Sequence, residues 1–221
     1  IAADLKLKAD IEEIDLEHPL VSPEGATYAA ILQDRAKRLY YEIAIKEDTL
    51  IFRRPTYLSD TSTALPLTWA ENLRRFTPSV STSNLPSSVE ARNTQTGQGG
   101  GKEALASTVQ AGQIQCMLGK TSGLEIARNS FGESRLLNED QRITSQAEAN
   151  VLPRAVMQSK AIEYITGRGT CIGNPQLVSR KVVYLKGLGS RFSGKYYVTS
   201  TTHSIDASGY RTEFNVKRDG R

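Results

Sequence analysis

The chain has 221 residues, 38% of them hydrophobic, with 28 Lys plus Arg against 24 Asp plus Glu and a formal net charge of +4. That is the composition of an ordered globular chain of one large or two small domains, well below the charge density of a dedicated nucleic-acid binder. No apolar run is long enough for a membrane-spanning helix, and no segment reads as a signal peptide.

Cys116 and Cys171 are the only cysteines, and His18 and His203 the only histidines. Two cysteines exclude a disulfide scaffold and a cysteine-rich zinc site, and free thiols are expected. The sequence starts Ile1-Ala2-Ala3-Asp4-Leu5 without a methionine and ends at Arg221 directly after a strand-like run. It is expected to be part of a longer protein.

Tyr28, Ile31, Leu32, Ala36 and Leu39 recur at spacings of three and four, which predicts an amphipathic helix over 28–39. Ser22-Pro23-Glu24-Gly25 is a turn signal before it, and Thr27 is placed to cap it. Tyr41 to Lys46 and Thr49 to Arg53, around Glu47-Asp48, predict a hairpin ended by Pro55. Residues 1–58 are thus expected to be a small α+β domain.

A polar connector leads to Leu65–Phe76, which holds the only tryptophan, Trp69. Val80 to Ser88 reads as extended, and Val89-Glu90-Ala91-Arg92 as a strand. The Gly/Gln run from Gln95 to Lys102 predicts a flexible loop, with little pattern from there to Asn138. Ser145-Gln146-Ala147-Glu148 has capping-box spacing. It opens a helical pattern (Ala149, Leu152, Val156, Ala161, Ile162, Ile165) with Pro153 inside, so a kink or break is expected there. Gly167-Arg168-Gly169 is expected to close that helix. Strands follow at Lys181–Leu185, at Lys195–His203, and after Ser208-Gly209, where Tyr210, Thr212, Phe214 and Val216 alternate with Arg211, Glu213, Asn215 and Lys217.

Local motifs point to no chemistry. Gly119-Lys120-Thr121 has the last residues of a phosphate-binding loop but Ile114 where the motif needs glycine. Adjacent Glu12 and Glu13 point apart, whereas acid/base carboxylates converge across a cleft. His203 sits among threonines and serines as a half-buried, hydrogen-bonded side chain, and His18 is a loop residue. Arg53-Arg54, Arg74-Arg75, Arg191 and Lys217-Arg218 are spread along the chain, near Phe52, Phe76 and Phe192. Solvated strand ends are the expected use of these bases. A charged rim or lumen in an oligomer is the more interesting one.

The order of the C-terminal pieces carries more. Gly173-Asn174-Pro175 is followed by Val182 to Gly187-Leu188-Gly189, then Phe192-Ser193-Gly194-Lys195-Tyr196, then Gly209-Tyr210-Arg211-Thr212. This order resembles the phage late control protein D family, the hub proteins of contractile tails, and their VgrG relatives in injection systems. Tyr28–Arg54 resembles the family's helix-plus-hairpin insertion, and Thr68–Phe76 the opening of its second barrel. Residues 95–140 fall outside the resemblance.

The resemblance implies an α+β, mainly β fold: a tube-like antiparallel β-barrel over 59–221 with one packing helix, and a flexible insertion at about 95–142. It implies a structural, non-enzymatic baseplate hub in a virion tail or injection system, assembled in the bacterial cytoplasm. Such a hub forms a homotrimer that joins the hexameric tail tube protein to the trimeric spike and other baseplate proteins. No cofactor, metal, small-molecule substrate or membrane insertion is expected, and nucleic acid is not an expected partner. The residues singled out are structural: turns at Gly173, Pro175, Gly187, Gly189, Gly194 and Gly209, and a barrel core of Tyr196, Val198, Tyr210, Phe214 and Val216. A tail-tip cell-wall hydrolase and a nucleic-acid-binding β-barrel are the alternatives.

Overall fold

The computed structural model describes residues 1–16, 25–96, 102–139, 143–207 and 209–221. His18, the turn at 22–24, the glycines at 97–101 and Ser208 therefore lie outside the described residues. The elements in the first half of the chain are β1 (Lys8–Ile11), α1 (Tyr28–Leu39), β2 (Glu42–Lys46), β3 (Thr49–Arg53), β4 (Leu65–Thr68), β5 (Leu73–Val80), β6 (Ser88–Thr96) and β7 (Lys102–Gln110). In the second half they are α2 (Gly123–Phe131), β8 (Arg135–Glu139), α3 (Gln146–Ala161), β9 (Ile165–Ile172), β10 (Val182–Lys186), the one-turn α4 (Gly189–Phe192), β11 (Gly194–Asp206) and β12 (Gly209–Arg218). The fold is mixed α+β and mainly strand.

Packing divides the chain into two units, residues 1–55, 88–110 and 134–159 in the first and 56–87, 111–133 and 160–221 in the second. The helix-and-hairpin segment thus shares its unit with two later stretches of chain.

In the first unit the β2–β3 hairpin gains β1 as a parallel third strand, and β6 lies between β7 and β8 in a second three-stranded sheet. Helix α1 starts where Thr27 Oγ1 accepts the Ala30 N–H at 3.2 Å, as its sequence predicts, and Tyr40 at φ 56° ends it. Ser145 Oγ accepts the Glu148 N–H at 3.2 Å while the Glu148 carboxylate takes the Thr144 N–H at 3.1 Å. The first of these bonds is the one that the capping-box spacing predicts, whereas the return bond goes to the residue before the cap.

The expected break at Pro153 does not occur, since α3 runs through it to Ala161. Proline forgoes one backbone bond there, but Ala149 and Leu152 before it and Ala155 and Met157 after it are all buried. Burial on both sides offsets the roughly 3 kcal/mol cost of an interior proline. Residues 102–139, where the sequence shows little pattern, contain β7, α2 and β8. The β6–β7 arms bury mainly small side chains, Val89, Ala91 and Val109, which is why the alternation reads weakly.

The second unit is built on a six-stranded sheet in the order β4-β10-β11-β12-β9-β5. Strands β4 and β5 lie at opposite edges, yet only Trp69 to Asn72 separates them in sequence. A flat sheet would hold its edges about 24 Å apart, beyond the reach of about 18 Å that so short a link allows. The sheet must therefore curl, and the Trp69–Leu73 bridge joins the two edges at one corner.

The expected closed, tube-like barrel is corrected on this point. The sheet is a curled half-barrel, because only that corner pairs and β4 has four residues to offer. Nor is it wholly antiparallel: β4 runs parallel to β10, with β5 to β9 lying between them in sequence as the long crossover such pairing needs.

A second correction concerns 165–172. Gly167-Arg168-Gly169 does not close a helix but lies inside β9, between β12 and β5. A Cβ on Gly169 would come within 2.3 Å of the Phe214 ring, and one on Gly167 within 2.6 Å of the Phe76 ring. These glycines are the room left in a strand for aromatic rings from its neighbours.

Candidate functional site

Tyr196, Val198, Phe214 and Val216 are buried in the second unit with Leu67, Leu73, Val183 and Leu185. The Tyr196 ring meets Phe76 edge-on at 5.7 Å. Tyr197, on the opposite face of β11, is also buried, stacked on Tyr57 at 4.9 Å. Tyr210 is only half-buried, and its hydroxyl lies 2.9 Å from His203 Nδ1. His203 is exposed rather than half-buried, with Thr212 Oγ1 also 3.1 Å from Nδ1.

Gly187, Gly189 and Gly209 bound the turns around β10, α4 and β12, and Pro175 follows β9. Two of the singled-out glycines have specific neighbours. A Cβ on Gly173 would fall 2.0 Å from the Tyr210 ring. Gly194, at φ +143°, leaves space for the buried Arg218 guanidinium, which lies 5.3 Å over the Tyr196 ring and donates to the Ser193 carbonyl at 3.2 Å.

Gly119-Lys120-Thr121 does backbone work. The Lys120 and Thr121 N–H groups donate to the Arg221 carbonyl at 2.7 and 2.9 Å, and the Arg221 N–H returns to the Thr121 carbonyl at 3.0 Å. The buried Asp219 carboxylate accepts the N–H groups of Met117 at 2.7 Å and Leu118 at 3.0 Å, and the Cys116 thiol at 3.3 Å. Residues 116–123 thereby clasp 219–221.

Both cysteines are free. Burial, helped by Asp219, pushes the Cys116 thiol up to about 12, and burial pushes Cys171 up to about 11. Each thiol holds its proton more tightly folded than unfolded. Their contribution to stability is therefore intact below about pH 9 and lost as pH rises toward 11–12. Neither thiol should react with iodoacetamide in the native protein at pH 8, and both should react in denaturant. Native alkylation at the denatured rate would contradict this burial.

Several acidic and basic groups pair across neighbouring elements. Glu12 is held below the usual carboxylate range by its bonds from Arg54, Arg53 lies 3.4 Å from Asp10, and Lys217 pairs with Glu163. Among the described residues no group of three or more His, Cys, Asp or Glu side chains could hold a metal ion. No helix among them is long and apolar enough to cross a membrane.

Two surfaces bear on binding and assembly. On the solvated face of the large sheet, Arg75 and Thr77 of β5, Arg168 and Thr170 of β9 and Glu213 of β12 line a concavity of 420 Å³. Arg168 donates to Glu213 at 2.5 Å and draws that carboxyl below its ordinary range. Arg75 has no ion pair among the described residues. Reading 167–169 as a helix end hid this cluster from the sequence. The signal that carries it is the alternation Arg75-x-Thr77-x-Ser79 against Thr166-x-Arg168-x-Thr170.

In the first unit, the second surface is the free edge of β8, where Leu136 and Leu137 are 36% and 43% exposed. Both edges of the large sheet instead carry a proline, Pro66 in β4 and Pro78 in β5.

The sequence profile of the Alg8 N-terminal domain family matches residues 1–207. Among curated proteins none matches the chain. The fold is similar to that of the 43 kDa tail protein of prophage MuSo2 from Shewanella oneidensis, with a TM-score of 0.69 and 15% identity over 99% of this chain and 63% of that one. It is also similar to a tail protein from Neisseria meningitidis MC58 (TM-score 0.63, 14% identity, 97% of this chain and 62% of that one). A prophage tail protein from Listeria monocytogenes EGD-e matches at a TM-score of 0.58 and 11% identity, over 97% of this chain and 60% of that one. At such identities the likeness is one of fold. The chain spans about three fifths of the length of these three proteins.

Proposed function

We propose, from the premise that the chain belongs to the Alg8 N-terminal domain family and has the fold of phage tail proteins, that it is a structural part of a tail. In this reading it is a baseplate hub subunit of a contractile tail or injection system, of the late control protein D and VgrG kind. Three copies form the ring that adapts a hexameric tail tube to a trimeric spike, and the work is mechanical.

The observation that carries the proposal is the fold likeness to three tail proteins over 97–99% of the chain. The distribution of edges supports a specific mode of assembly. Proline blunts both edges of the large sheet, whereas β8 offers unpaired backbone beside Leu136 and Leu137. A neighbouring subunit adds to β8, which removes that edge and those side chains from water.

Light scattering behind a sizing column tests this over a range of concentrations, alone and with a tail tube protein. The expected result is a species three times the 24.3 kDa chain mass, returned to monomer by Leu136→Asp/Leu137→Asp. A single-chain mass under every condition would overturn the hub assignment. The hydrolase alternative is not favoured by the pairing of the carboxylates.

A further inference from the structure

We infer that the concavity on the solvated face of the large sheet is a binding site for the phosphodiester backbone of a nucleic acid. The inference stands on the second unit alone and does not depend on ring assembly.

Pairing places the site's residues in two rows across three strands. Arg75 faces Thr170, which faces Glu213; Thr77 faces Arg168, which faces Asn215. Arg75 and Arg168 are therefore diagonal neighbours on adjacent strands, with Cβ atoms about 7–8 Å apart and both guanidiniums able to reach one point. One carboxylate serves this pair of cations, and it is bonded to Arg168. Arg75 reaches the 420 Å³ concavity with its charge unmatched by any described side chain.

The lining then offers guanidinium and hydroxyl donors (Arg75, Arg168, Thr77, Thr170) around an open space. This is the donor set that phosphate oxygens take, and two-pronged guanidinium contacts are among the stronger charged hydrogen bonds.

The surroundings decide between a phosphate and a carboxylate presented by a protein. Around the site the same face carries Ser79, Thr166, Asn215, Ser200 and Thr202, at successive positions of the register. The exposed large apolar side chains described on that face are Ile172 on β9 and, on β10 away from the site, Tyr184, whereas a protein interface would need a cluster of buried anchors. Lys217 and Arg211 lie along β12 on the same side, already paired to Glu163 and Asp206. A hydrated face with cations along the strand direction suits a backbone passing across it, and none of these groups reads bases.

The test is fluorescence anisotropy of a labelled oligothymidylate with the full chain at rising KCl. Saturable binding is expected, with equal affinity for a mixed-sequence strand of the same length. Arg75→Gln should weaken it roughly tenfold and lower the slope of log Kd against log salt by about 0.7. Arg75→Gln/Arg168→Gln should lower the slope about twice as far. Arg128→Gln, an exposed substitution on α2, should leave both quantities as in the native chain.

Equal binding by native and Arg75→Gln chains would overturn the inference. So would saturable binding of inorganic phosphate without any binding of the oligonucleotide. The solution mass of each variant is read in the same samples, so loss of the site and loss of assembly are distinguished.

Discussion

Replacing Glu148 with alanine should cost about 3–5 kcal/mol of stability, the largest effect expected of any single substitution here. Glu148 is the third residue after the Ser145 cap and also the carboxylate that meets Arg38 of α1. The two side chains are 5% and 6% exposed, and Arg38 Nε donates to Glu148 Oε1 at 3.0 Å. Deleting the carboxylate strips a buried guanidinium of this partner and loses the bonds to the Thr144 backbone and side chain together.

An exposed ion pair would be worth at most about 1 kcal/mol, so urea denaturation separates the two cases. A loss below that value would show that the pair is solvated. The double variant Arg38→Met/Glu148→Leu should recover most of the loss. It removes both charges and leaves apolar side chains of similar reach in their place.

Asp219→Ala should cost about 2–5 kcal/mol, by a different route. Its carboxylate satisfies the backbone N–H groups of Met117 and Leu118 and takes the Cys116 thiol, in a loop that then pairs with Arg221. Alanine leaves two inward-facing donors without an acceptor, each worth about 1–3 kcal/mol. Asp219→Asn keeps one oxygen and should lose about half as much. Alkylation of Cys116 reports on the same event, because opening the clasp exposes a thiol that is otherwise unreactive. Native-like denaturation midpoints for Asp219→Ala would mean that the clasp does not hold the loop.

Legibility followed the range of the interactions. Helix α1 with its Thr27 cap, the β2–β3 hairpin, the Ser145–Glu148 box and the alternation of β12 all rest on contacts within a few residues. Each could be read directly. Strand β9 is hidden in the sequence because Gly167 and Gly169 look like helix punctuation until Phe76 and Phe214 are brought over them. Helix α3 outlasts Pro153 for a similar reason, since the compensating burial comes from elsewhere in the chain. The turn glycines were legible as glycines. What Gly173 and Gly194 make room for, the Tyr210 ring and the Arg218 guanidinium, was not.

Composition and local pattern carry the α+β character, helix α1 with its cap, the β2–β3 hairpin and the alternation of β12. Those properties reside in composition, local periodicity and short-range spacing. The curl of the large sheet, the meeting of Arg38 with Glu148, and the concavity shared by Arg75 and Arg168 come from the folded arrangement instead. Each of these joins residues from distant parts of the chain. Such pairs depend on strand order and register, which no local pattern specifies.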